Sequence, residues 1–89
     1  MATIEVTETS QYSFSVTIKG THTTIHQVSV QPEYAQQLTA GCISPKQLVM
    51  ASIQYLLDRE SNTSILRSFD LRVIERYFPD YTQQLKHYI

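Results

Sequence analysis

The chain has 89 residues, a formal net charge of −1, an ordinary 42% of hydrophobic residues and one cysteine. That length allows one domain, 1–89, with one core, and that apolar content excludes wholesale disorder. The lone Cys42 excludes an intrachain disulfide, no apolar run approaches the ~20 residues of a membrane-spanning helix, and the near-neutral charge argues against a strongly basic polyanion binder while favouring self-association.

MATIEVTETS has neither a basic n-region nor an apolar h-region, so it is read as the start of a cytoplasmic chain rather than as a signal peptide. Residues 1–30 are rich in Thr, Val, Ile, Ser and Tyr in alternation, the pattern of strands. Ala2, Ile4 and Val6 share one face of a first strand, and Glu8-Thr9-Ser10-Gln11 is the expected turn. Tyr12, Phe14, Val16 and Ile18 then alternate with Ser13, Ser15, Thr17 and Lys19. A three-residue loop, Gly20-Thr21-His22, pairs Lys19 with Thr23. It sets Phe14 opposite Val28, Val16 opposite His26 and Tyr12 opposite Val30. A two-residue loop would turn Val28 and Val30 outward, so the first register buries more apolar surface.

Pro32–Ala40 reads as a short helix with Pro32 at its first position and Gly41 as its C′ residue. Ser44-Pro45-Lys46-Gln47 opens the main helix with a capping box, and Ile43 and Leu48 are placed to staple it. Val49, Ile53, Leu56 and Leu57 form its core stripe, with Leu48 and Ser52 beside it, and it is expected to end near Glu60. Ser61-Asn62-Thr63 breaks the chain. A short turn, Ser64–Phe69, is expected to bury Ile65, Leu66 and Phe69. Asp70 caps the next helix, which carries Leu71, Ile74 and Phe78 on one face and stops at Pro79. Asp80 caps a last helix with Tyr81, Leu85 and Tyr88 in line. The expected core runs through Ile4, Val6, Phe14, Val16, Ile18, Val28, Val30, Leu38, Val49, Ile53, Leu56, Leu57, Ile65, Leu66, Phe69, Leu71, Ile74 and Phe78.

The fold class is therefore α+β: an N-terminal antiparallel β-meander or hairpin, of about three strands, packed against a C-terminal cluster of short helices. The segments SPKQL, SNTSILRSFDL and IERYFP resemble a group of small bacterial proteins of unassigned function, over roughly residues 22–81. The resemblance implies a bacterial cytosolic protein forming one compact unit, and it transfers no catalytic or binding residue.

No constellation points to catalysis or to a cofactor. His22 and His26 are four residues apart in a turn and strand, about 13 Å in extended chain and too far to share a zinc ion. His26 is read as partly buried near the sheet, His22 and His87 as solvated, and Cys42 as a buried small apolar residue. The serines lack a G-x-S-x-G setting, and no Gly-rich phosphate loop is present. A small-molecule or enzyme site around His26, Tyr34 and Cys42 would need an apolar pocket with converging polar groups.

Three arginines, Arg67, Arg72 and Arg76, with Tyr77 and Tyr81 beside them, are the candidate partner-binding residues. They could form a cationic, stacking patch for nucleic acid. Interleaved Asp58, Glu60, Asp70, Glu75 and Asp80 favour instead an ion-paired, solvated face. An open sheet edge and the aromatic tail Tyr77, Phe78, Tyr81, Tyr88 and Ile89 suit a protein partner or self-association. The leading expectation is a small non-enzymatic protein-interaction or accessory module, possibly a homodimer. A nucleic-acid-binding regulator using the arginine patch is the alternative.

Overall fold

The computed structural model describes residues 3–89. Three strands, β1 (Thr3–Ser10), β2 (Ser13–Lys19) and β3 (Thr24–Ser29), form an antiparallel meander. Its register is the one apolar burial demands: Phe14 faces Val28, Val16 faces His26, and the Val30 amide donates to the Tyr12 carbonyl at 3.0 Å. Phe14, Val16, Ile18 and Val28 are buried, whereas the opposite face carries Ser, Thr, Gln and Lys side chains and the exposed Ile25. Ala2 lies outside the described residues.

The first turn is tighter than expected. β1 continues to Ser10, with the ladder shifted between Glu8 and Ser10, so an irregularity at Thr9 absorbs the extra residue. Tyr12 takes the left-handed conformation (φ 62°), as a tight hairpin corner requires. The meander is also wider than expected. A fourth strand, β4 (Ser68–Asp70), pairs in parallel with β3, giving the order β1-β2-β3-β4. Three residues are too few to show an alternation, which hid this strand in the sequence.

The helices are α1 (Pro32–Thr39), α2 (Pro45–Leu57), α3 (Arg72–Tyr77) and α4 (Tyr81–Gln84), with 3-10 turns at Asn62–Ser64 and Leu85–His87. α1 ends with Ala40 in the left-handed region (φ 51°) ahead of Gly41 (φ 77°). α2 begins with the full capping box: Ser44 Oγ accepts the Gln47 amide (3.2 Å) and Gln47 Oε1 accepts the Ser44 amide (3.0 Å). Ser44→Ala is expected to lower stability by about 1 kcal/mol. The readout is a lower urea midpoint at unchanged slope. An unchanged midpoint would show that the cap contributes nothing.

α2 stops at Leu57 rather than near Glu60, because the amides of both Arg59 and Glu60 turn back to the Leu56 carbonyl. It is buried over more than one stripe. Leu48, Val49, Ala51, Ser52, Ile53, Tyr55 and Leu56 are all enclosed, so α2 is a central helix between the sheet and the C-terminal aromatics. Tyr34, Leu48, Tyr55, Tyr81 and Leu85 accordingly join the core. Of the expected core, Ile4, Leu38, Leu57 and Phe78 are only half-buried, and Leu66 is exposed.

Two capping assignments shift. Asp70 Oδ1 accepts the Arg72 amide (3.0 Å), but the residue at the helix boundary is Leu71. Asp80 makes no side-chain cap; its Oδ1 accepts the Tyr55 hydroxyl at 3.3 Å.

Candidate functional site

The segment between α2 and β4 decides where the surface features lie. The sequence places Leu66 in a short turn, Ser64–Phe69, that buries it. Instead the chain leaves the 3-10 turn at Asn62–Ser64 extended, and His26 holds it against the sheet. His26 is 1% exposed. Its Nδ1 lies 2.7 Å from the Leu66 carbonyl oxygen and its Nε2 lies 2.8 Å from Thr24 Oγ1. A carbonyl only accepts, so Nδ1 carries the proton and Nε2 accepts from the Thr24 hydroxyl. Asn62 Nδ2 completes the bridge by donating to Thr24 Oγ1 (3.0 Å) and to the His22 carbonyl (2.8 Å). With both nitrogens engaged inside the protein, His26 is a structural clamp.

Cys42 is a further correction. It lies exposed in the turn between α1 and α2, where its amide donates to the Thr39 carbonyl, instead of in the core. Such connections run over the surface because their backbone needs water or local partners. His26 clamped, Cys42 exposed and Tyr34 under Arg72 do not form one site.

The clamp leaves Leu66 48% exposed, and Tyr77 on α3 is 66% exposed. Both line one groove of about 340 Å³, whose walls include Ile65, Phe69, Val73 and Phe78. Glu60 and Ser64 bring the main polar groups to its lining. Leu66 is the residue that sequence reasoning missed. A period-2 reading of residues 65–70 would set it with Ser68 and Asp70 rather than with Ile65 and Phe69, but so short an alternation does not by itself distinguish a strand from a turn.

The five candidate partner residues do not make one patch. Arg72 and Arg76, one turn apart on α3, line a second groove of about 470 Å³ with Gln31, Glu33, Tyr34 and Asp70. The Arg72 guanidinium lies 5.4 Å from the centre of the Tyr34 ring, a cation–π distance. Arg67 sits apart, next to Leu66, with its carbonyl accepting the Gln27 amide (2.7 Å) and its side chain exposed. Tyr77 faces the apolar groove. Tyr81 is fully buried, its hydroxyl 2.6 Å from Ser52 Oγ, so it offers no stacking face. Burial pushes its phenol well above the usual tyrosine range, as it does for Tyr34, where Tyr81 and the Glu75 charge add to the effect.

The expected ion-paired face is not formed. Among the described residues, the one salt bridge within 4.0 Å joins Lys19 and Glu5. Arg59 is instead held by aromatic and carbonyl groups: its guanidinium lies 3.6 Å from the Tyr55 ring centre, and Nη1 donates to the Tyr55 carbonyl (3.0 Å) and the Tyr88 hydroxyl (3.3 Å). Among the described residues, Arg67, Arg72 and Arg76 have no carboxylate within 4.0 Å. Asp70, between Arg67 and Arg72 in sequence, is occupied: its Oδ2 accepts from Ser29 Oγ (2.9 Å), while Oδ1 takes the Arg72 amide.

The sheet offers a different surface. β1 and β4 are its edges, and β1 presents eight residues with Glu5 already bound to Lys19 at 3.2 Å. The irregularity at Thr9 interrupts that edge, a common protection against strand addition.

The chain matches no protein-family model, no curated protein and no solved structure. The resemblance carried by SPKQL, SNTSILRSFDL and IERYFP rests on those motifs alone, and the functional reading rests on the surface just described.

Proposed function

We propose that the chain is a small non-enzymatic protein-interaction module of the bacterial cytosol, which binds a protein partner through the groove beside α3. The observation that carries this reading is the placement of Leu66 and Tyr77, two of the four exposed large apolar side chains among the described residues, on one apolar groove. Scattered surface hydrophobics need no explanation, but a groove with an aromatic rim matches the anchors of protein interfaces. An exposed free thiol at Cys42 suits a reducing compartment.

The nucleic-acid reading draws support from the unpaired guanidiniums of Arg67, Arg72 and Arg76. It is the weaker of the two. Tyr81 is buried, Arg67 lies apart from the other two, and Glu33 and Asp70 line the groove of Arg72 and Arg76.

Affinity capture from a bacterial lysate with the wild-type chain and with Leu66→Asp plus Tyr77→Ala tests the reading. One stoichiometric protein is expected to survive nuclease and to be lost with the double variant, whose circular dichroism stays wild-type. Removing a tyrosine anchor at an interface commonly costs about 2 kcal/mol or more, roughly a thirtyfold loss of affinity. Retention of the partner by the variant, or its loss on nuclease treatment, would refute the proposal.

A further inference from the structure

Resting on that reading of the groove, we infer that its protein partner is a second copy of the chain, related by a two-fold axis so that Tyr77 of each copy enters the groove of the other. A two-fold interface uses one patch twice, so the patch must be complementary to itself. The surface around α3 meets that demand in shape. The groove walled by Leu66 lies on one side of α3, and Val73 and Tyr77, one turn apart on that helix, stand at its edge. Tyr77 is exposed, so a projecting aromatic side chain and a concave apolar groove lie side by side. At about 340 Å³ the groove is at the small end of ligand clefts, a size suited to a side chain such as Tyr77 itself. The protein captured from a lysate of the host is then its own untagged copy of this chain.

The charge pattern is self-complementary as well. Glu60 lines the apolar groove on one side of α3, Arg72 and Arg76 line the second groove on its other side, and Val73 lines both. A half-turn about an axis parallel to α3 in the interface exchanges the two sides. It sets Glu60 of each copy towards Arg72 and Arg76 of the other. Among the described residues these arginines have no carboxylate within 4.0 Å, so each can take one from a second copy. With Glu33 and Asp70 beside the arginines, and Glu75 on the same helix, the patch is of mixed sign. A uniformly acidic or basic segment meets like charge somewhere on it, whereas a copy turned by a half-turn meets opposite charge across α3. The whole chain carries a net charge of −1, so long-range repulsion between copies is small.

Analytical ultracentrifugation of the purified full-length chain tests the inference. The wild-type chain is expected to show a concentration-dependent dimer that Leu66→Asp and Tyr77→Ala each dissociate. A substitution counts twice at a two-fold interface, so Tyr77→Ala is expected to raise the dimer Kd roughly a hundredfold or more. Two charge variants that keep the apolar groove test the orientation. Glu60→Arg alone, and Arg72→Glu plus Arg76→Glu alone, are each expected to dimerise more weakly than wild type, because like charges then face each other. Mixed together, they are expected to form a heterodimer, because every facing pair is again of opposite sign. A mixture that stays monomeric would overturn the two-fold arrangement. A dimer that survives Leu66→Asp and Tyr77→Ala would overturn the inference by placing the contact elsewhere. A monomeric wild-type chain that captures a different protein, lost with Leu66→Asp plus Tyr77→Ala, would overturn the second copy and leave the groove reading intact. A monomeric chain that captures nothing would overturn both.

Discussion

Tyr55→Ala is expected to destabilise the fold by about 3–5 kcal/mol, a large share of what a domain of this size holds. Tyr55 is fully buried on the central helix and is the hub of the C-terminal half. Phe78, Tyr81 and Tyr88 meet its ring edge-on at centroid distances of 6.0, 5.2 and 5.9 Å. The Arg59 guanidinium covers the ring at 3.6 Å, and the hydroxyl reaches Asp80. Truncation removes all these contacts and opens a cavity that Arg59, Phe78, Tyr81 and Tyr88 would have to collapse to fill. Tyr55→Phe isolates the hydroxyl: the ring stays, only the 3.3 Å bond to Asp80 is lost, and the cost is expected near about 1 kcal/mol. Urea unfolding followed by circular dichroism gives both values. A loss below 1 kcal/mol for Tyr55→Ala would contradict the assignment of this residue as the hub.

His26→Leu is the second large effect, expected at about 2–3 kcal/mol although the side-chain volume is nearly kept. The substitution leaves the Leu66 carbonyl and the Thr24 hydroxyl without their imidazole partners in a partly buried setting. Its consequences should be local before they are global. β4 joins the sheet through few bonds, among them Gln27 amide to Arg67 carbonyl and Leu71 amide to Ser29 carbonyl. Amide exchange at Gln27 and Leu71 is therefore expected to accelerate more than at the centre of β2. Because the clamp also holds Leu66 at the groove, partner binding should weaken in the same variant. Wild-type stability together with unchanged exchange at those amides would show that β4 docks without His26.

The meander and its register were legible because one face of each strand must be apolar, and only one loop length puts Phe14, Val16, Val28 and Val30 together. The start of α2 was legible for a different reason: Ser44, Pro45 and Gln47 each satisfy a separate local requirement. What escaped was non-local. β4 is three residues long and exists because β3 offers it a template, and Leu66 faces outward because a histidine forty positions earlier captures its carbonyl. Tyr55 falls outside the α2 stripe of Val49, Ile53, Leu56 and Leu57. It is buried because α2 is covered on a second side, which no single-helix pattern records. The arginines were recognised as a group by composition, but their lack of carboxylate partners depends on how Asp70 is spent.

The most direct measurement of the central claim is an amide chemical-shift map of the labelled chain, titrated with the protein partner recovered by affinity capture. The interaction surface proposed here predicts the largest perturbations at Leu66, Val73, Arg76 and Tyr77, with β1 and the outer face of the sheet unchanged. Perturbations concentrated along Thr3–Ser10, with α3 and Leu66 silent, would contradict it and place the partner on the open edge of the sheet.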